Sequence, residues 1–310
     1  MVSFHRSLFA KDVRVHASDN PGHTPSGLWI PLVTPFHHHA VDHAALHGLV
    51  QHLAAQGIAG FVVCGSTGEA AALSPDEQLA VLDTVAQAAP QLPRVMGLSG
   101  YHLGDTLDWV RTLNAQTLAG LLVPAPHYIR PSQAGLQGWF EAIADASRAP
   151  VWLYDIPART GSILQLATLR ALALHPHIHA IKDCGGDAAK TQALIADGQL
   201  RVLAGDDANI FATLAWGGAG AIAASGHVHT ARLVRLMRAV AQGELTQARG
   251  DWQALRPLME ALFDEPNPAP LKALLAREGW MQPELRAPMT AASQVLGDRL
   301  QTLSGAVAAA

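Results

Sequence analysis

From residue 27 onward, short runs of apolar residues alternate with longer stretches in which apolar positions recur every three to four residues. The short runs fall at 28–33, 60–64, 94–98, 120–123, 151–154, 178–182, 201–204 and 220–223. Apart from Arg94, His179, Lys182 and Arg201 they are apolar rather than alternating, which is the pattern of a strand buried on both faces. The stretches between them, 42–56, 75–89, 105–115, 133–147, 164–174, 188–196 and 208–216, carry helical periodicity. Several begin with a side chain able to cap a helix: Ser74 before Pro75 with Glu77 three residues on, Ser132, and Asp206 or Asp207. Eight strand–helix alternations predict a parallel sheet covered by helices, and a closed (β/α)8 TIM barrel is the simplest such architecture. Beyond the eighth run only helical patterns follow, at 230–241, 245–263, 270–277 and 291–303, with Pro266, Pro268 and Pro270 interrupting them. The expected organisation is an extension over 1–25, a barrel over 26–226 and a C-terminal helical appendage over 227–304, with the final GAVAAA frayed.

Composition narrows the partners. Of the 310 residues, 49% are hydrophobic and 15% charged, enough for a large core, and the formal net charge is −4. No basic stripe is present, so nucleic acid is not expected as a partner. No apolar run approaches the roughly 18 to 20 residues of a membrane span, and the first residues lack the apolar stretch of a signal peptide. The two cysteines, Cys64 and Cys184, lie far apart and outline neither a disulfide framework nor a zinc site, so a cytoplasmic location is expected. Sixteen histidines invite a metal reading, chiefly at His37-His38-His39 and His175, His177 and His179. Neither group has a matching carboxylate or cysteine set, so surface histidines and no metal are expected.

Candidate chemistry gathers at strand ends, where barrel enzymes carry their reactive groups. The fifth run ends at Tyr154 and the sixth at Lys182, one of only four lysines, the others being Lys11, Lys190 and Lys272. A lysine closing a buried strand must reach water, pair with an anion or lose its proton, and a neutral amine attacks carbonyls. After the second run, Gly65-Ser66-Thr67-Gly68-Glu69 forms a small-residue loop. Its backbone N–H groups can hold a carboxylate or phosphate, although a tight structural turn explains the same residues. Arg159, in the loop after Tyr154, suits a bidentate grip on a substrate carboxylate or a salt bridge to a neighbouring helix. Tyr128 lies in a proline-stiffened loop after the fourth run, where packing is the commoner role.

Taken in order, Pro31-Leu-Val-Thr-Pro35, Gly65-Ser-Thr-Gly-Glu69, Tyr128 with Arg130-Pro-Ser-Gln133, Tyr154-Asp-Ile-Pro157, Ile181-Lys182, Gly205-Asp-Asp207, Gly217-Gly-Ala-Gly220 and Glu265-Pro-Asn-Pro268 form a set. With these motifs the chain resembles the dihydrodipicolinate synthase and N-acetylneuraminate lyase family of class I, pyruvate-dependent aldolases over about residues 26 to 295. The resemblance implies an imine between Lys182 and pyruvate, with no cofactor. It makes Tyr154 the proton shuttle, joined through Ser66 to Tyr128 of an adjacent subunit. Thr67 and the carbonyl of Ile222 would seat pyruvate. Such a relay needs a homo-oligomer, a dimer at least and a tetramer in the family's usual form.

Arg159 places the likeness in the synthase branch, where an arginine here holds the carboxylate of aspartate semialdehyde. The implied reaction is condensation of pyruvate with this small acidic aldehyde to 4-hydroxy-tetrahydrodipicolinate, on the route to lysine. Alternatives are a paralogous aldolase or hydratase-aldolase acting on another aldehyde or a 2-keto-3-deoxy sugar acid, or a barrel that binds a small acid without turnover. The chain departs from the branch at Ser66 (commonly threonine), Asp155 (commonly asparagine), His127 (a second tyrosine) and Asp183-Cys184-Gly185. Where regulated members bind lysine, this chain offers Ala70, Ala71, Pro75, Gln78, His102 and Thr106, so weak or absent lysine inhibition is expected.

Overall fold

The computed structural model describes residues 25–310; apart from Pro25, the expected N-terminal extension lies outside the described residues. Eight strands close into a barrel in chain order: β1 Gly27–Pro31, β2 Gly60–Val63, β3 Arg94–Gly97, β4 Gly120–Pro124, β5 Val151–Asp155, β6 Ile178–Asp183, β7 Arg201–Ala204 and β8 Gly220–Ile222. Every neighbouring pair is parallel, and β1 closes the ring against β8 through Leu28 opposite Ala221. This is the TIM barrel that the pattern predicts.

Because successive strand side chains point to opposite faces, one set fills the barrel. Trp29, Val62, Val95, Leu122, Trp152, Tyr154, Ala180, Leu203 and Ile222 form a cluster of their own, separate from the larger core under the helices. Trp29 and Trp152 meet edge to face at 4.7 Å, a contact worth about 0.5–1.5 kcal/mol beyond the area it buries. On β5 the two-residue period carries Trp152 to Tyr154, and on β6 it carries Ala180 to Lys182. The chemistry-bearing residues therefore lie one step above a packed floor, at the C-terminal mouth of the barrel.

The helices start where their caps dictate. Ser74 and Glu77 form a reciprocal capping box at Pro75–Ala88, and Ser132 caps Gln133–Ala146. The third helix, Leu103–Leu113, begins two residues before the predicted start because His102 Nδ1 accepts from the Asp105 N–H at 3.2 Å. Phe36–His37 and Ala40–Val41 pair as a small hairpin, with His38 and His39 in its turn, both at positive φ. This is the turn geometry that matches strand twist.

Four helices follow the barrel: Thr230–Ala241, Leu245–Ala261, Ala269–Arg277 and Gln294–Ala309. The last corrects an expectation, since GAVAAA continues the helix instead of fraying. Val307 is buried, its carbonyl accepts from Arg232 Nη1 at 2.6 Å, and Asp251 holds Arg232 in place at 2.9 Å. No described helix is long and apolar enough to cross a membrane.

Candidate active site

Tyr154 and Lys182 are direct partners in the β5–β6 ladder. The Lys182 Nζ lies 4.4 Å from the centroid of the Tyr154 ring, and both side chains are buried. Room for the lysine comes from Gly205 after β7, where a Cβ would fall 2.5 Å from Lys182 Cγ and from Cys184 Sγ. Any other residue there would displace the amine.

Electrostatics decide the state of that amine. Burial works against the Lys182 ammonium, whereas anionic Tyr154, Cys184 and Asp207 would favour it, and with all three ionised the amine sits above the ordinary lysine range. At neutral pH two of the three carry their protons. Burial lifts the Tyr154 phenol above its usual value and the Cys184 thiol up to about 12. Burial of Lys182 is then opposed by Asp207, whose carboxyl burial itself pushes upward, and by the Tyr154 side chain. The amine is thus held between burial, which favours the free base, and its neighbours, which favour the ammonium.

The loop after β2 faces this pair. The Gly68 and Glu69 N–H groups close the turn onto the carbonyls of Gly65 and Ser66 at 3.0 and 3.2 Å. Those of Ser66 and Thr67 have no protein acceptor among the described residues, leaving two donors for an anionic group. Ser66 is exposed, and its side chain lies close enough to Tyr154 to favour the ionised phenol. Thr67 is buried, and its hydroxyl oxygen accepts from Asn267 Nδ2 at 3.0 Å. With that lone pair occupied, the Thr67 proton is free to be donated elsewhere.

Glu69 adopts the left-handed conformation, φ 53°, at the end of the loop. Such a residue persists when its surroundings over-determine it. Here Lys272 Nζ, fully buried, donates to Glu69 Oε1 at 2.6 Å and to the Thr34 carbonyl at 2.8 Å. The Arg286 N–H donates to Glu69 Oε2 at 3.2 Å. The C-terminal region thus grips the loop directly, through Lys272 on the helix Ala269–Arg277 and Arg286 on the segment after it.

On the opposite wall, Asp207 accepts the Ser225 N–H at 2.7 Å just beyond Ile222 on β8. His227 joins the seam between β8 and β1. Its Nε2 accepts from the Val33 N–H at 3.2 Å, so its Nδ1–H donates to the Ala224 carbonyl at 2.8 Å. Burial takes His227 down to about 4, which keeps it neutral and in that tautomer.

The structure therefore brings Lys182, Tyr154 and Ser66 together, with Thr67 on the same loop as Ser66 and Ile222 in the barrel-filling cluster with Tyr154. Arg159 is exposed on the short helical turn Pro157–Thr160 after β5, close enough for its charge to act on Tyr154. Tyr128 stands apart: it is 91% exposed, at φ 71°, on the loop after β4. The histidine clusters serve local structure. His175 Nδ1 accepts from the His177 N–H at 3.2 Å, His179 contacts the Pro176 carbonyl at 3.0 Å, and His37 to His39 make the hairpin. Among the described residues no group of three or more His, Cys, Asp or Glu side chains is placed to hold a metal.

The dihydrodipicolinate synthetase family model matches residues 24–306, nearly the whole chain. The chain belongs to the dihydrodipicolinate synthetase family. It is 38% identical over 275 residues to the 4-hydroxy-tetrahydrodipicolinate synthase of Sorangium cellulosum, covering 87% of this chain and 91% of that protein. To 4-hydroxy-tetrahydrodipicolinate synthase 2 of Clostridium acetobutylicum it is 34% identical, over 88% and 97% of the two chains. Among solved structures, a chloride-inhibited dihydrodipicolinate synthase from Acinetobacter baumannii complexed with pyruvate superposes with a TM-score of 0.89. It shares 28% identity and covers 92% of this chain and 99% of that one. A monomeric dihydrodipicolinate synthase variant gives 0.90 at 27% identity, over 94% and 99% of the two chains.

Within this family member, the sequence motifs gave no role to Asn267, to the Glu69–Lys272 pair or to Lys190, all of which the structure ties to the barrel mouth. Asn267 and Glu69 stood inside quoted motifs, and Lys190 was counted among the rare lysines. The missing signal was the partner of each, contributed from 203 residues away for Glu69 and 200 for Asn267.

Proposed function

We propose that the chain condenses pyruvate with aspartate semialdehyde to 4-hydroxy-tetrahydrodipicolinate through an imine on Lys182. The observation that carries this reading is the buried Lys182 amine set against the Tyr154 ring at the barrel mouth. The free base attacks the pyruvate ketone, water leaves, and the cationic imine accepts the electron pair released when a methyl proton departs. The resulting enamine carbon adds to the aldehyde, whose oxygen takes up a proton, and the amino group of the aspartate semialdehyde then attacks the imine carbon, closing the ring and releasing the Lys182 amine. Tyr154 takes and returns protons at these steps, with the nearby Ser66 side chain favouring its ionised form. Thr67, with the loop N–H groups and the Ile222 carbonyl, seats pyruvate, and Arg159 receives the carboxylate of the aldehyde.

Tyr128 completes the relay from a second copy. The loops after β3 and β4 are joined by the His127 N–H donating to the Gly100 carbonyl at 3.2 Å. Together they expose Tyr101, Leu103, Tyr128 and Ile129, an apolar face of the kind that homodimers cover. A dimer is the minimum working unit, with a tetramer as the full assembly, in the cytoplasm. Tyr128→Phe is expected to slow turnover about tenfold while leaving the assembly intact, measured by steady-state rates beside analytical ultracentrifugation; an unchanged rate would leave Tyr128 as packing only.

Lysine is expected to inhibit weakly or not at all. The cleft between the starts of the second and third helices is lined by Pro75, Gln78, His102 and Thr106. Of its two carboxylates, Asp108 is already engaged by Arg111. Strong inhibition by submillimolar lysine in an initial-rate assay would contradict this.

The assay that tests the reaction compares kcat/KM for aspartate semialdehyde with that for uncharged aldehydes and for cleavage of 2-keto-3-deoxy sugar acids, each with pyruvate as donor or product. A preference of about 10- to 100-fold for the acidic aldehyde is expected, the worth of one well-placed charged contact. Faster turnover of a sugar acid would move the chain to another branch of the family.

A further inference from the structure

Asp155 ends β5, and Leu164 closes the loop that follows it, the loop that carries Arg159. Lys190, from the helix Ala188–Asp197 after β6, spans the two ends of that loop. Its Nζ donates to Asp155 Oδ2 at 2.5 Å and to the Leu164 carbonyl at 3.2 Å, while the Leu164 N–H donates to Asp155 Oδ1 at 3.4 Å. The side chains of the pair are only 5% and 1% exposed. Gly185 makes the space, since a Cβ there would lie 2.7 Å from both Asp155 Oδ2 and Lys190 Nζ.

The second carboxylate nearby does not compete for the lysine. Asp183 Oδ1 accepts the Gly185 N–H at 2.9 Å and its Oδ2 accepts the Thr191 hydroxyl at 2.5 Å. A buried ion pair gains little stability over an apolar pair of equal volume, so packing alone does not account for charges here. The pyruvate half of the site is held by other means: the strand ladder for Lys182 and Tyr154, and Lys272 and Asn267 for the Thr67 loop.

We propose that the Asp155–Lys190 pair is the positioning element for Arg159, closing its loop into a ring and thereby setting the affinity for the acidic aldehyde independently of pyruvate. The inference rests on the reading above that Arg159 receives the aldehyde carboxylate. Lys190 acts through the loop and touches neither substrate.

Two paired replacements in the full-length protein separate positioning from burial of charge. Asp155→Asn with Lys190→Met removes both charges but leaves an amide oxygen that can still accept the Leu164 N–H. Asp155→Ala with Lys190→Met removes both charges and the ring. Neither leaves a buried charge unpaired, so neither carries the penalty of the single variants. The alanine pair is expected to raise KM for aspartate semialdehyde about tenfold or more, with KM for pyruvate within about twofold. The asparagine pair should stay within about threefold of the parent for both. Equal aldehyde KM values for the two pairs, or an equal rise for pyruvate, would overturn the inference. Arg159→Ala, assayed in parallel, tells which step fails. If it is selective for the aldehyde while the alanine pair is not, positioning by Asp155–Lys190 falls alone; if it is unselective, the assignment of Arg159 falls and takes the inference with it.

Discussion

Lys182→Ala is expected to lower turnover by at least about 10³-fold, the scale on which losing a covalent intermediate is felt. Nothing else in the barrel mouth can replace the amine. Lys190 is committed to Asp155 and Leu164, and Lys272 to Glu69 and Thr34. Lys182→Arg should be equally inert, since a guanidinium does not release its proton to attack a ketone. The alanine variant should fold, because the change removes an ionisable group whose burial is unfavourable and leaves Tyr154 and Ala180 in the barrel-filling cluster. Steady-state assays beside thermal melts check both statements. Retention of a tenth of the parent rate in a folded protein would remove Lys182 from the chemistry.

The second large effect is expected at Arg159. Arg159→Ala should raise KM for aspartate semialdehyde by about 10- to 100-fold, matching roughly 1.5–3 kcal/mol for a hydrogen bond to a charged group, and should leave KM for pyruvate near its parent value. Arg159 is exposed and has no ion pair among the described residues, so its loss should not disturb the fold. The selectivity between the two substrates carries the information. An equal effect on both would place Arg159 outside the aldehyde site.

Much of this was legible in the chain because the signals were local. Eight largely apolar runs mark strands buried on both faces, and the caps at Ser74 and Ser132 lie within three residues of the groups they satisfy. Tyr154 and Lys182 could be singled out because each closes such a run. The hairpin at residues 36–41 was not visible, because its turn uses His38 and His39 at positive φ where asparagine and glycine are the usual signs. The final helix was read too short because what orders GAVAAA is the Arg232 bond to Val307, a tertiary contact. The same reason hid the supports of the site. Glu69, Asp155 and Thr67 are each held by a side chain distant in sequence, and residue type gives no sign of a partner that only folding supplies. Tyr128 shows the converse, a residue whose proposed partner would lie in another copy of the chain.

The most direct test of the account is borohydride reduction of the purified protein with pyruvate, followed by peptide mass spectrometry. The account predicts a stable pyruvate-derived adduct on the peptide containing Lys182, absent without borohydride and absent in Lys182→Ala. No adduct on folded protein, or an adduct on Lys190 or Lys272 in its place, would contradict it.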